Sequence, residues 1–230
     1  MLQTIQQLGN WLARFPYENV TKLDSASPRN ADRVLREFDR SGTGGTCFSL
    51  VNLALKRARN KDLTPRVYLG DRPDGEARHC VIGFPRKDVF LDPGYLCYTP
   101  LPLHPVETTR ITRPQNTIHL EPVDDTHLKI MTERKNQRTW RYTLTTEPVT
   151  QSTFQKAWEE SFGWKSVMSS RVLTRQREND MLLYLNGRLE SIHRERRRRL
   201  EPPQDQPHHR YLAELFNIQP TLLEDLSIDT

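Results

Sequence analysis

Residues 43–59 read TGGTCFSLVNLALKRAR, and the reading of the chain works outward from this stretch. Gly44 and Gly45 permit a tight turn with close backbone approach. Thr46 carries a side-chain oxygen suited to capping a helix. From there Cys47, Leu50, Val51, Ala54 and Ala58 recur at helical spacing, which predicts a helix from Cys47 to about Arg59. Cys47 is thus expected to open a helix. The first-turn amides and the helix dipole favour an anion there, which lowers a thiol's pKa.

Two further helices precede this one. In TIQQLGNWLARF the apolar positions Ile5, Leu8, Leu12 and Phe15 share one face, and Pro16 stops the element. In PRNADRVLREFDRSG, Pro28 stands near the start, Val34, Leu35 and Phe38 share a face, and Gly42 follows the end. After Lys61 the pattern becomes short β-like runs, RVYLG, HCVIGF and DVFLD, separated by Pro, Gly and Asp turns. HLKIMTE and RTWRYTLTTE read as a hairpin, and this spacing of strands predicts a barrel or strongly curved sheet. Residues 101–122 are proline-rich and give no clear element. Beyond Gln151, STFQKAWEESF is amphipathic, SVMSSRVLTRQREND followed by MLLYLNGRLESIH reads as strand, polar turn, strand, and HRERRRRLEPPQDQ as a charged, proline-broken stretch. The last segment, HHRYLAELFNIQPTLLEDL, reads as a closing helix. The fold class expected is α+β, with helices over 1–61, a β unit over 62–150 and a smaller α/β unit over 151–230.

Composition narrows the function classes. The chain has 230 residues, 27% of them charged and 35% hydrophobic, and no run reaches the roughly 18 apolar residues of a membrane-spanning helix. The N-terminus lacks a basic-then-apolar signal pattern, so a cytoplasmic protein away from membranes is expected. Cys47, Cys80 and Cys97 are too few for a disulfide scaffold and lack zinc-site spacing, so no metal is expected. The net charge is +5, and most of the 34 basic residues are arginines, whose forked guanidinium suits phosphate and carboxylate. The run RERRRR at 194–199 is diluted by Glu195, Glu201 and Asp205, and nucleic-acid binding is not the reading preferred.

His79 begins the strand HCVIGF and Asp92 ends VFLD, 13 positions later. A reversal over Phe84–Lys87 would set His79 directly opposite Asp92, so that the carboxylate holds one imidazole nitrogen and leaves the other free. With Cys47 this is the ordering of thiol nucleophile, base and orienting carboxylate. Cys80 alternates away from His79 and reads as core.

These blocks resemble the arylamine N-acetyltransferases, within the wider transglutaminase-like cysteine superfamily. FPYENV at 15–20 is similar to that family's Pro-Phe-Glu-Asn-Leu segment, GGTCFSLVNLAL at 44–55 to its Arg-Gly-Gly-aromatic-Cys block, HCVIGF and LDPGY to its His strand and Asp turn, and YLAELFNI to its closing helix. The resemblance implies a helical bundle, a central antiparallel β-barrel and a C-terminal α/β lid. It places the catalytic triad on Cys47, His79 and Asp92 and the substrate pocket on Tyr17, Tyr95, Gly45 and Thr46. It implies acetyl transfer from acetyl-CoA to an arylamine, arylhydrazine or N-hydroxyarylamine. The chain departs from the family at Thr43, Thr46, Pro93 and Leu96. Thr43 replaces an arginine that in the family pairs with the glutamate matching Glu18, so that contact is missing or rebuilt. The same triad also serves a transglutaminase-like amidase or amide synthase with a donor other than CoA, and a degenerate site would leave a binding protein.

Overall fold

A computed structural model of the chain describes residues 2–25, 27–59, 63–164, 170–193 and 196–228. Helices α1 (Leu2–Leu12), α2 (Val20–Leu23), α3 (Ala31–Ser41) and α4 (Cys47–Arg59) form the N-terminal part. Ile5, Leu8 and Leu12 of α1 are all fully buried, the inward stripe the spacing predicts. Helix α3 begins at Asn30, whose side chain accepts from the Arg33 amide at 2.9 Å. It ends at Gly42, left-handed at φ 75°, whose N–H reaches the Phe38 carbonyl at 2.8 Å. Among the described residues no helix is long and apolar enough to cross a membrane.

Eight antiparallel strands form the main sheet in the order β5-β4-β3-β2-β9-β8-β7-β6. They are β2 (Arg66–Asp71), β3 (Arg78–Phe84), β4 (Val89–Asp92), β5 (Cys97–Pro102), β6 (Thr109–Thr112), β7 (Thr117–Asp124), β8 (His127–Arg134) and β9 (Gln137–Thr145). The proline-rich stretch over 101–122 thus holds the end of β5, all of β6 and most of β7, with Pro102 at a strand end, Pro105 and Pro114 on loops and Pro122 inside β7 beside a register shift. Phe90, Cys97 and Leu101 from one end of the sheet share a core with Ile118, Leu120 and Ile130 from the other. The sheet therefore curls around one apolar filling as a barrel does, although its edge strands β5 and β6 form no ladder with each other.

A second sheet has the order β1-β10-β11-β12-β13: Tyr17–Glu18, Val172–Gln176, Met181–Leu185, Arg188–His193 and Arg196–Arg199. The strand, polar turn and strand expected over residues 166–193 appear as β10, a turn over 177–180 and β11, with β12 following as a further strand, while residues 166–169 lie outside those described. The arginine run, read as an irregular charged stretch, is instead the edge strand β13, pairing Arg197 with Ile192. Its ladder partner supplies the order that composition alone does not. Helix α6 (His208–Phe216) covers this sheet through Leu212 and Phe216, which pack with Leu173, Leu182 and Leu189. Helix α5 (Gln151–Glu160) packs elsewhere: Phe154 and Trp158 stack on Phe48 of α4 at ring separations of 5.7 and 6.3 Å. Both ends of the chain thus cross between layers, β1 into the second sheet and α5 into the first core.

The β3–β4 hairpin differs from its expected register. Ile82 faces Leu91, Gly83 faces Phe90 and Phe84 faces Val89, because a 3₁₀ turn over Pro85–Lys87 and a left-handed Asp88 make the reversal. Extended outward, this register sets His79 level with Gly94 and leaves Asp92 two residues off. An even slip keeps both side chains on one face, so their meeting survives.

Candidate active site

Cys47 occupies the N-terminus of α4 and is 8% exposed. Leu50 N–H bonds the Thr46 carbonyl at 3.0 Å, which sets the helix start where the sequence places it. Gly45 holds φ 143°, and a Cβ there would lie 2.7 Å from both Arg29 Nη2 and Ser49 Cβ. Only glycine fits this turn.

Arg29 rebuilds the contact that Thr43 forfeits. Its Nη2 donates to the Gly44 carbonyl at 3.0 Å and pairs with Glu18 Oε1 at 3.5 Å, while Nη1 pairs with Glu37. Glu18, fully buried, also accepts from the Thr21 amide at 2.9 Å and the Thr21 hydroxyl at 2.6 Å. The Glu18 amide bonds the Gly45 carbonyl at 3.1 Å. A guanidinium 15 residues upstream of Gly44 therefore braces the turn that carries Cys47.

His79 Nε2 lies 2.8 Å from Asp92 Oδ1, which leaves Nδ1 for the thiol. Asp92 Oδ1 also accepts from the Tyr95 amide at 3.1 Å, and Oδ2 from the Tyr142 hydroxyl at 2.6 Å. Gly94 closes the group. A Cβ on it would lie 2.5 Å from His79 Cε1, 2.9 Å from Cys47 Cβ and 3.4 Å from Asp92 Oδ1. All three side chains therefore converge on one point, and any larger residue at 94 would drive them apart. After Gly94, Tyr95 meets the His79 ring edge-on at 5.0 Å. Leu96 holds φ 57° where the resembling family has glycine, at a cost of about 1–2 kcal/mol, while its side chain is buried with α4.

The electrostatics follow from this packing. Hydrogen bonding from the Cys80 thiol is the largest influence on Cys47; burial opposes it, and the charge on His79 adds to it, so the Cys47 thiol is held well below its usual range. Burial opposes charge on His79, but the Asp92 carboxylate and Cys47 outweigh it and push the imidazole up to about 10. These influences favour a thiolate beside an imidazolium over the neutral pair. The other two cysteines stay neutral. Burial and the Cys47 neighbour push Cys80 up, and burial pushes Cys97 up to about 12, where it takes Arg113 Nη1 at 3.0 Å.

A cleft of about 440 Å³ opens between the two sheets, with Tyr17, His79, Gly94 and Tyr95 on its wall. Gly45 and Thr46, expected in the pocket, are buried under the helix start and do not line it. Three contributors were not legible in sequence. Cys80 was read as core; it is fully buried, yet its thiol faces Cys47. Tyr142 lies 50 residues from Asp92. Lys22 is buried, donates to the Ser161 carbonyl at 2.8 Å and hydroxyl at 2.7 Å, and has its ammonium 4.7 Å from the Phe162 ring centre. Burial pulls Lys22 down to about 8 against the opposing influence of Cys47.

No family profile matches the chain. No curated protein matches it. Solved structures do. A Mycobacterium marinum arylamine N-acetyltransferase in complex with CoA superposes at TM-score 0.76 with 14% identity, over 97% of this chain and 91% of its own. A Nocardia farcinica arylamine N-acetyltransferase gives 0.74 and 18%, over 96% and 86%. A Bacillus cereus enzyme described as having a Cys-His-Glu triad gives 0.72 and 14%, over 95% and 92%. The chain has the fold of the arylamine N-acetyltransferases.

Proposed function

We propose that the chain is a thiol acyltransferase, moving an acetyl group from acetyl-CoA to an arylamine, arylhydrazine or N-hydroxyarylamine by double displacement. The observation that carries this is the convergence of Cys47, His79 and Asp92 about Gly94, with His79 Nε2 bonded to Asp92 at 2.8 Å. The shared fold and the CoA bound by the Mycobacterium marinum protein support the choice of donor.

Cys47 as thiolate attacks the thioester carbonyl carbon. The carbon–sulfur bond to CoA breaks, and the departing thiolate takes the proton from His79. Backbone amides at the start of α4 are candidate donors to the oxyanion. The acceptor nitrogen then attacks the acyl-enzyme, His79, now neutral, takes its proton, and Cys47 leaves as thiolate. Asp92 orients the ring and stabilises the imidazolium at both stages. Sulfur suits the exchange because the two thioesters are nearly equal in energy, whereas an ester on serine would resist passing the acyl group on.

The test is CoA release from acetyl-CoA plus an arylhydrazine, with the acyl-enzyme followed by intact mass. Acylation at one thiol is expected, and Cys47→Ala abolishes both signals. Turnover retained in that variant ends the reading. If acetyl-CoA never acylates Cys47 while a peptide or other acyl donor does, the amidase or amide-synthase reading replaces it.

A further inference from the structure

Lys22 is a buried cation for which the chemistry above has no use. It stands on α2 and is 5% exposed. Its Nζ donates to the carbonyl and the hydroxyl of Ser161, the residue that follows α5. Aromatic rings stand against the same ammonium, Phe162 at 4.7 Å and Trp164 at 5.9 Å from the ring centres. Among the described residues no carboxylate lies within ion-pairing distance of it. A charge this deep needs a counter-charge or gives up its proton.

The fold sets this cation beside the helix start that carries Cys47. Tyr17 forms a parallel bridge with Gly45, and α2 follows β1 directly. The ring of Phe48, next in sequence to Cys47, lies 5.9 Å from Trp164, the same indole that faces the ammonium. Burial lowers Lys22, and the influences that oppose it are Cys47 and Cys80. At Cys80, burial and the Cys47 and Asp92 neighbours all work against a thiolate, and Lys22 works in its favour. Tyr17 and Tyr95 are pushed up by burial and stay neutral. Two cations therefore serve the pair of sulfurs: the imidazolium of His79, backed by Asp92, and the ammonium of Lys22.

We propose that Lys22 is a positioning residue, a fixed counter-charge that favours the thiolate form of Cys47 independently of His79. Its purpose rests on the acyl-transfer reading. In that cycle His79 gives up and regains a proton, so its charge comes and goes. Lys22 takes no part in the proton traffic, and the sulfur keeps one constant cation nearby as it leaves the acyl group.

The experiment follows alkylation of Cys47 by iodoacetamide across pH, read at the Cys47 peptide by mass, and needs no acyl donor. His79→Gln removes the stronger cation and exposes the contribution of the weaker. In that background Lys22→Gln, which keeps a donor toward Ser161 but no charge, is expected to raise the midpoint by about half a pH unit, a roughly threefold change in the ratio of thiolate to thiol. Lys22→Arg restores it. Ser161→Ala removes the hydroxyl acceptor and leaves the charge, so it should lower stability to urea without moving the midpoint. An unmoved midpoint in Lys22→Gln, or an equal movement in Ser161→Ala, overturns the proposal. Should Lys22→Gln not fold, the wild-type protein carries the test, because coupling between two sites is reciprocal. Capping Cys47 with iodoacetamide removes its negative charge and should lower the Lys22 titration, followed by NMR of protein labelled at lysine ¹³Cε. A Lys22 titration that capping leaves unchanged overturns the proposal as well. If no acyl donor acylates Cys47, the acyl-transfer reading fails on its own, and the alkylation midpoint still decides whether Lys22 acts on the sulfur.

Discussion

Two buried histidines on the curled sheet lie beside carboxylates, but only His79 makes a hydrogen bond to its partner and stands beside a thiol. His79 on β3 reaches Asp92 on β4, two positions off the directly opposed residue. His119 on β7 faces Met131, and Glu133 on β8 is again two positions off, 2.6 Å away. The surroundings differ. Glu133 also faces Arg138 at 3.3 Å and Arg110 at 4.0 Å, so its charge is divided among cations. Asp92 accepts from neutral donors, the Tyr142 hydroxyl and the Tyr95 amide, so its charge falls on the imidazole. His79 also has a sulfur to serve. A histidine–carboxylate pair by itself is therefore ordinary in this molecule. What sets one apart is the thiol on its far side and a carboxylate that, among the described residues, pairs with no arginine.

Neutralising each carboxylate should separate the two pairs most sharply. Asp92→Asn is expected to lower kcat by about 10³–10⁴, because the imidazole loses both its orienting acceptor and its counter-charge. Glu133→Gln is expected to stay within about threefold, since Arg138 and Arg110 already offset that charge. Comparable losses in a steady-state assay would erase the distinction. Tyr142→Phe should fall between them, costing about tenfold in kcat and about 1–2 kcal/mol in urea unfolding, as a buried carboxylate loses a donor.

The thiolate–imidazolium pair makes a pH prediction. A thiol held well below its usual range is already ionised through the ordinary thiol titration, so alkylation of Cys47 by iodoacetamide should be flat there. The rate should rise only near pH 10, where His79 gives up its proton and no longer damps the sulfur. A sigmoid centred in the ordinary thiol range would show that the pair does not form. The smallest effect is reserved for His119→Gln. It is expected to leave kcat within about threefold and to shift unfolding by no more than about 1 kcal/mol, an ordinary outcome for a position outside the reacting group.

Part of this contrast could be read directly from residues. The glycine pair before Cys47 announced the turn and the helix start, because few other residues permit that backbone. The Asp92 pairing was reached through a register two residues wrong, and it held because strand side chains repeat every two positions. Alternation also placed Cys80 away from His79, but it cannot say which helix covers that other face. It is α4, which brings Cys47 onto Cys80 within one core. Local pattern does not announce that His119 sits at 0% exposure beside Glu133, because that placement depends on a β7–β8 register that begins in a stretch with no clear pattern.

Local chemistry alone thus determined the main helices, several of the strand blocks and the choice of Cys47 as candidate nucleophile, since periodicity, turn residues and capping act over a few neighbours. Tertiary structure decided that Arg29 braces the turn, that Tyr142 holds Asp92 and that Gly94 lets three side chains converge. Those contacts join residues many positions apart, and their energies depend on which surfaces the folded layers bring together, a quantity no short window of sequence contains.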